Sequence, residues 1–231
     1  MAESHVIHLK ELGFRWPGGM DEVINIASFS QAKQQHTFLR GPSGSGKTTL
    51  LNLITGVLQP QRGDVQVLES SLAQCKPSVR DRYRVDHIGI IFQQFNLLPY
   101  LNVLENILLP CTFSKLRMQR ASAQRSLDDE AKRLLAALGM TDSSLVTRRA
   151  SDLSTGQQQR VAAARALIGT PELIIADEPT SALDADTKKS FIKLLFKEIQ
   201  AANSTLLFVS HDQTLEELFD RSIDLAEINK A

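Results

Sequence analysis

The chain has 231 residues, of which 42% are hydrophobic and 23% charged, a balance typical of a globular protein with a sizeable core. Its 26 basic and 26 acidic residues cancel, which argues against a general nucleic-acid binder, because such proteins are usually basic. No metal-ligand spacing surrounds Cys75 or Cys111, and no apolar run is long enough to form a signal region or to cross a bilayer. Free thiols in a reducing compartment are therefore expected, and any action at a membrane needs a partner that supplies the spans.

The first part of the chain is predicted to form strands around one glycine-rich loop. Five segments are predicted as strands from their alternation or their apolar runs: 6–14, 22–29, 36–40, 65–68 and 87–92. The turn signal at 17–19 separates the first two, so they are expected to pair in antiparallel fashion. A helical pattern begins at Lys47, directly after the glycine-rich loop, and is expected to stop near Gly56.

The second part of the chain is predicted to alternate helices and strands. Short apolar strands are expected at 173–176 and 205–209, with a helix at 188–201 between them and a mainly helical block at 101–149 before them. This order predicts an α/β fold with a mainly parallel core sheet and an N-terminal antiparallel β region. Residues 1–231 are expected to form a single domain, with a core of 1–95 and 160–231 and an inserted α-helical subdomain at about 96–159.

A glycine-rich segment matches the phosphate-binding pattern G-x-x-x-x-G-K-[ST]. Its glycines let the backbone curl, so that consecutive N–H groups and the start of the following helix face an anion. Lys47 is expected to reach the β- and γ-phosphates, and the Thr48 hydroxyl to bind Mg²⁺. A glycine-rich turn without a ligand is the alternative. The predicted ATP-binding residues of this loop are Gly41, Pro42, Ser43, Gly44, Ser45, Gly46, Lys47, Thr48 and Thr49.

An apolar strand at 173–176 ends in two carboxylates, Asp177 and Glu178. In an open α/β sheet the ligand lies beyond the carboxyl ends of the strands, so these side chains are expected at the nucleotide. Asp177 is predicted to face Mg²⁺, and Glu178 to polarise the water that attacks the γ-phosphate. The alternative is a strand that simply meets solvent.

The segment Leu153-Ser154-Thr155-Gly156-Gln157 resembles the LSGGQ signature of ABC ATPases, and it precedes the acidic strand as in that family. The resemblance implies that this helix N-terminus contacts the γ-phosphate of an ATP molecule held by the opposite subunit. A helix cap formed by Ser154 or Thr155 is the structural interpretation, and both can hold together. Thr155 stands where the family usually has glycine, which changes the backbone's approach to the phosphate.

Further positions resemble other family motifs. Trp16 matches the aromatic residue that stacks on adenine, although the family usually has tyrosine there, and Phe14 is the rival candidate. Gln93 matches the glutamine that binds metal and water and faces the membrane partner, and Gln94 is its rival. A buried core aromatic remains the structural alternative for the first position.

Two more motifs follow the acidic strand. Ser181-Ala182-Leu183-Asp184 matches the loop that crosses the dimer interface in the family, and His211 matches the histidine that hydrogen-bonds the γ-phosphate. The tail at 221–231 is expected to lack the family's closing strand. The resemblance covers about 6–228.

The resemblance implies an ATP-hydrolysing subunit that uses ATP and Mg²⁺ and works as a pair, with a homodimer expected. It implies a separate transmembrane permease as partner, no nucleic acid, and a peripheral position on the cytoplasmic face of the inner membrane. The segment 94–110 is similar to the lipoprotein-release and macrolide-efflux group. An amino-acid importer subunit is the closest alternative. A soluble ABC-type protein acting on DNA or ribosomes and a phosphate-loop kinase are the others.

Overall fold

The computed structural model describes residues 5–181 and 183–231, and these form two compact units. The first unit comprises the described residues of Met1–Arg84 together with Thr205–Ala231, and the second comprises those of Val85–Ser204. Both units combine strands with helices. The prediction of a mixed α/β fold with a parallel sheet and an antiparallel region is therefore confirmed.

Strands and helices alternate along most of the chain. The strands are β1 His5–Phe14, β2 Ile24–Ala32, β3 Thr37–Arg40, β4 Arg62–Val67, β5 Ser70–Ser71, β6 Ile88–Ile91, β7 Leu173–Asp177, β8 Thr205–Val209 and β9 Arg221–Asp224. The α-helices are α1 Lys47–Ile54, α2 Pro77–His87, α3 Val103–Phe113, α4 Lys115–Ala121, α5 Leu127–Ala137, α6 Thr155–Leu167, α7 Ala185–Ala201 and α8 Leu225–Ile228. Short 3₁₀ helices lie at Ser143–Thr147, Ala150–Asp152 and Gln213–Leu218.

The first unit begins with an antiparallel layer in which β1 lies between β2 and β4. Leu9 is opposite Phe29 of β2 on one side and opposite Val65 of β4 on the other, and all three side chains are buried. The predicted turn between the first two strands is present, where the Gly19 amide donates to the Trp16 carbonyl at 2.9 Å. Apolar cross-strand pairs of this kind stabilise the layer and hold its register.

The first unit also contains a parallel layer, in which β3 lies between β8 and β9. The expectation that the tail lacks a closing strand is wrong, because β9 pairs with β3 over four residues. The strand was missed because only Ile223 among its four residues is apolar, so no hydrophobic pattern marks it. Main-chain hydrogen bonding to β3 supplies the ladder, and Ile223 packs opposite Leu39.

The second unit pairs β6 with β7 in parallel and packs helices against them. Helix α6 lies so close to β6 that a Cβ atom on Gly89 would stand 2.2 Å from the Ala166 carbonyl oxygen. Helix α3 begins with a reciprocal capping box between Asn102 and Glu105, and α4 and α5 follow it within the predicted helical block. Across residues 5–181 and 183–231, none of the helices combines the length and hydrophobicity that a bilayer crossing needs.

Candidate functional site

The phosphate loop joins β3 to α1 in the first unit, as the sequence predicts. Among the described residues, no side chain caps the N-terminus of α1, and its first turn carries no acidic residue. The residue before the helix is Gly46, whose carbonyl accepts the Leu50 amide at 2.8 Å. The remaining first-turn amides have no intrahelical acceptor, and the helix dipole adds partial positive charge to them. This terminus can therefore bind an anionic phosphate.

Two glycines of the loop adopt backbone conformations that favour glycine over other residues. Gly44 has φ +81° and Gly46 has φ +94°. A Cβ atom on Gly46 would lie 3.0 Å from Ile24 Cδ1 and 3.1 Å from the Val23 carbonyl oxygen. At Gly44 no described atom lies within 4 Å of such a Cβ. The bend of the loop thus depends on Gly46 for both backbone angle and space, and on Gly44 for angle alone.

The polar side chains of the loop differ in their contacts and in their exposure. The Lys47 ammonium donates to the Gly41 carbonyl at 2.8 Å and to the Pro42 carbonyl at 2.9 Å, so its charge is held inside the loop. The Ser45 hydroxyl is buried without a hydrogen-bond partner among the described residues. Thr48 is exposed on the first turn of α1, whereas Thr49 is buried. A buried hydroxyl without a partner carries a cost that a polar ligand can offset.

Asn229, which the sequence analysis did not select, supports the phosphate loop from the tail of the chain. Its amide donates to the Val23 carbonyl at 3.0 Å and makes a longer contact of 3.5 Å with the Ser45 carbonyl. Its side-chain oxygen accepts the Asn25 amide at 2.7 Å. No pattern marks a single polar residue near the end of a chain, so only the fold reveals this role.

The adenine-stacking candidates are distinguished by their exposure. Trp16 is 46% exposed, whereas Phe14 is 5% exposed and belongs to the core. The two rings meet edge to face, with centroids 5.1 Å apart. Phe14 therefore supports the edge of Trp16, and Trp16 retains accessible ring surface for a ligand.

His211 follows β8 at the edge where the phosphate loop begins. Strand β8 is parallel to β3, with Val209 opposite Leu39, and the Ser210 amide donates to the Leu39 carbonyl at 3.2 Å. Because parallel strands end at the same edge, His211 and the start of the loop at Gly41 lie beyond neighbouring carboxyl ends. The first unit thus brings the phosphate loop and His211 to one edge of its parallel layer.

The second unit brings Gln93, Asp177 and Glu178 together. Strands β6 and β7 are parallel, with Ile91 opposite Ala176, so both segments leave the sheet at the same edge. The Gln93 amide lies 3.5 Å from Glu178 Oε2, a long contact. Glu178 has φ +45°, a left-handed conformation that costs of the order of 1–3 kcal/mol in a non-glycine residue. Strain of this kind is characteristic of functional positions.

The signature segment forms the N-terminus of α6. Ser154 caps the helix, accepting the Gln157 amide at 3.4 Å, and the Gln157 side chain accepts the Ser154 amide at 2.9 Å. This reciprocal cap satisfies two of the four end amides and leaves those of Thr155 and Gly156 without an intrahelical acceptor. The capping interpretation is therefore correct, and it is compatible with an anion at the same terminus.

Asp184 caps helix α7, with the Thr187 amide donating to its carboxylate at 3.0 Å and the Thr187 hydroxyl at 2.7 Å. These hydrogen bonds lower the pKa of Asp184 below its usual value, the backbone amide of Thr187 contributing most. The carboxylate is therefore ionised at neutral pH. Ala182, within the same predicted motif, lies outside the described residues.

The residues predicted to bind a metal ion carry oxygen donors. The donor set of Thr48, Gln93 and Asp177 offers a hydroxyl, an amide oxygen and a carboxylate, which are the ligands that Mg²⁺ prefers. Within 5–181 and 183–231, no group of three or more His, Cys, Asp or Glu residues could hold a metal. The chemistry of these donors therefore fits Mg²⁺ bound jointly with phosphate oxygens and does not resemble a protein-only metal site.

Comparisons with known proteins agree with this arrangement. The family model described as ABC transporter matches residues 24–181. An uncharacterised ABC transporter ATP-binding protein of Mycobacterium tuberculosis is 37% identical over 228 residues, covering 97% of this chain and 88% of that protein. The macrolide export ATP-binding/permease protein MacB of Burkholderia thailandensis is 35% identical over 98% of this chain, which corresponds to 34% of MacB.

Solved structures give the same result. The ATP-binding cassette MJ0796, a dimer in a post-hydrolysis state bound to ADP and Pi, has a TM-score of 0.79 and 31% identity, covering 94% of this chain and 93% of that one. The predicted similarity to the macrolide-export type of cassette is confirmed by the MacB match. The chain belongs to the ABC transporter family and is an ATP-binding, ATP-hydrolysing subunit of it.

Proposed function

We propose that this subunit binds Mg-ATP through the phosphate loop of its first unit and presents its signature helix to the ATP of a second copy. The observation that supports this most strongly is the start of α1, where uncapped amides, Lys47 and the buried Ser45 hydroxyl share one loop. Trp16 stacks on the adenine in this proposal, since its ring is accessible. The nucleotide is then held at both of its ends.

Hydrolysis is proposed to depend on the side chains of Glu178, Gln93, His211 and Lys47. Glu178 polarises the attacking water. Gln93, whose amide lies 3.5 Å from Glu178 Oε2, orients the same water. His211 donates a hydrogen bond to the γ-phosphate, and Lys47 stabilises the negative charge that develops on the phosphate oxygens. Preorganised donors of this kind are the main contribution that a protein makes to phosphoryl transfer.

Thr48, Gln93 and Asp177 are the residues proposed to hold Mg²⁺. Mg²⁺ supplies charge neutralisation on the phosphate oxygens when it is bound. The protein residues contribute the oxygens that fix its position. The parallel register of β7 with β6 supports this assignment, because Asp177 and Gln93 follow strands that end at the same edge.

Two copies are proposed to pair head to tail around two ATP molecules. The two open amides at the start of α6 and the ionised Asp184 then lie at the interface. The dimeric state of the MJ0796 cassette supports this pairing. ATP bridges the two copies, and hydrolysis allows them to separate. The chemical step thereby drives the opening of the dimer.

The partner is proposed to be a separate transmembrane permease on the cytoplasmic face of the inner membrane, of the export, lipoprotein-release or mechanotransmission type. The MacB match supports this type, because MacB carries an ATP-binding part and a permease in one chain while this chain corresponds to a third of it. An amino-acid importer is the alternative, and co-purification of the permease distinguishes the two.

The Glu178→Gln substitution tests the proposal, with Glu69→Gln, an exposed carboxylate in a surface ion pair, as the matched control. The variant should bind Mg-ATP, hydrolyse it about 100-fold more slowly or worse, and run as a dimer in gel filtration. Glu69→Gln should behave as wild type. Wild-type turnover by Glu178→Gln, or a monomer with Mg-ATP both alone and in the purified permease complex, would contradict the proposal.

A further inference from the structure

Helix α6 carries a buried arginine that binds the turn directly after Gln93. Arg165 is 9% exposed, and its guanidinium donates to the carbonyls of Phe95 at 2.5 Å and Asn96 at 2.6 Å. Both acceptor residues have left-handed backbones, with φ +59° and +49°. Burial lowers the pKa of Arg165 to about 10, so the side chain stays charged at neutral pH. Two hydrogen bonds from one charged guanidinium therefore stabilise a turn whose backbone conformation is otherwise unfavourable.

The same helix carries a buried glutamine that binds the segment directly after Glu178. Gln159 is 1% exposed, and its amide donates to the Pro179 carbonyl at 2.8 Å. Glu178 itself has φ +45°, so the peptide that follows it needs external support. Gln159 provides that support from inside the second unit.

We propose that Arg165 and Gln159 are positioning residues through which α6 sets the relative placement of Gln93 and Glu178. The inference rests on the roles proposed above for those two residues. Gln93 lies two residues before Phe95, and Glu178 lies directly before Pro179, so each hydrogen bond fixes the backbone next to one of the pair. The Gln93–Glu178 contact is 3.5 Å, and a displacement of either backbone by about 1 Å is enough to cost a large part of the rate.

Helix α6 is proposed above to contact the ATP of the second copy. It would then also control the geometry of Gln93 and Glu178 in its own subunit. A change at the N-terminus of α6 would reach the segments beside Gln93 and Glu178 through the hydrogen bonds of Arg165 and Gln159. The phosphate loop takes no part in the hydrogen bonds of Arg165 and Gln159. Substitution of Arg165 or Gln159 should therefore lower turnover without lowering nucleotide affinity.

The chain supplies matched controls for both links. Arg117 is 2% exposed and donates to the carbonyls of Ile168, Ala166 and, at 3.3 Å, Arg165 at the C-terminal end of α6. Gln31 is fully buried and donates to the carbonyls of Gln35 and Leu206 in the first unit. Each control removes a buried side chain of the same type whose hydrogen bonds go to carbonyls other than those of Phe95, Asn96 and Pro179.

The experiment compares full-length Arg165→Lys, Arg165→Met and Gln159→Leu with Arg117→Lys and Gln31→Leu, well below the melting temperature of each variant. We expect kcat to fall about tenfold in Arg165→Met and Gln159→Leu, with the Kd for Mg-ATP within about twofold of wild type. Arg165→Lys keeps the charge and one donor direction, so its kcat should lie between those of Arg165→Met and wild type. The two controls should melt earlier but retain kcat within about twofold.

Glu178→Gln, measured in parallel, distinguishes failure of the proposed function from failure of the positioning role. If Glu178→Gln turns over ATP normally, the proposed function itself is wrong. If Glu178→Gln is inactive while Arg165→Lys and Gln159→Leu keep a wild-type kcat, only the positioning role is wrong. Arg165→Lys decides the matter should Arg165→Met fail to fold, and equal kcat losses in the Arg117 and Gln31 controls would also overturn the inference.

Discussion

Replacing Gly46 with alanine perturbs the phosphate loop at the residue that precedes α1. The loop holds this residue at φ +94°, and an added Cβ would meet Ile24 Cδ1 at 3.0 Å and the Val23 carbonyl oxygen at 3.1 Å. The flexible end of Ile24 can move aside, but the Val23 carbonyl is main chain, and it also accepts the Asn229 amide at 3.0 Å. Alanine therefore has to pull the loop away from its support.

The size of the effect follows from two costs. A left-handed alanine costs about 1–2 kcal/mol, and overpacking against a fixed neighbour adds about 1–3 kcal/mol, which gives roughly 2–5 kcal/mol in total. For a domain of 150–250 residues this corresponds to a melting temperature lower by about 4–20 °C. Gly44→Ala is the matched control, because Gly44 has φ +81° but no described atom within 4 Å of an added Cβ. Only the left-handed cost of about 1–2 kcal/mol, or about 2–8 °C, is expected there.

Thermal unfolding followed by circular dichroism or calorimetry measures both variants, and a second scan with Mg-ATP reports the bound loop. Nucleotide should raise the melting temperature of wild type by mass action, and this rise should shrink most in Gly46→Ala. Equal melting temperatures for the Gly46 and Gly44 variants would refute the reasoning, since the crowding at Gly46 would then carry no cost.

Trp16 is the only tryptophan of the chain, so its fluorescence should change when Mg-ATP is titrated, and Trp16→Ala should weaken ATP binding about 5–100-fold, as expected for one lost stacking contact. The control Phe14→Leu should lower the melting temperature and leave the affinity close to wild type, whereas unchanged affinity in Trp16→Ala would exclude stacking. For Glu172, burial raises the pKa, but hydrogen bonds from His87 and Arg120 outweigh burial and lower the pKa from 4.5 to about 2. Because this pKa is lower in the folded state, the carboxylate stabilises the fold above about pH 4.5 and loses that effect as the pH falls towards 2. The stability difference between wild type and Glu172→Gln, from urea unfolding, should therefore narrow between about pH 5 and pH 2, and a constant difference would contradict the assignment.

The sequence predicted the parts of the fold that local chemistry determines. Helix α1 begins at Lys47, as predicted, and ends at Ile54, where Gly56 at φ +71° stops it. The apolar runs that became β7 and β8 were located to within a residue, because buried parallel strands consist almost entirely of apolar side chains. Strand β9 was missed because main-chain pairing, which leaves no trace in the side-chain pattern, is what forms it.

The candidate site likewise contains some residues that could be predicted from the sequence and others that could not. The phosphate loop and the acidic end of β7 could be predicted because their spacing has a direct chemical reason. Asn229 and Arg165 could not be predicted, since each acts on main-chain carbonyls that lie far away in the sequence. Carbonyl acceptors are present at every residue, so a sequence gives no indication of which of them a distant side chain will bind.

If Lys47 binds ATP as proposed, its two bonds to main-chain carbonyls affect the energetics of nucleotide binding. Fixing a free lysine side chain costs up to about 2 kcal/mol of rotamer entropy, and in this loop the carbonyls of Gly41 and Pro42 fix it already. That ordering belongs to the folding of the loop. An arriving triphosphate therefore meets an ammonium group with little freedom left to lose, and more of the attraction between the charges remains as affinity.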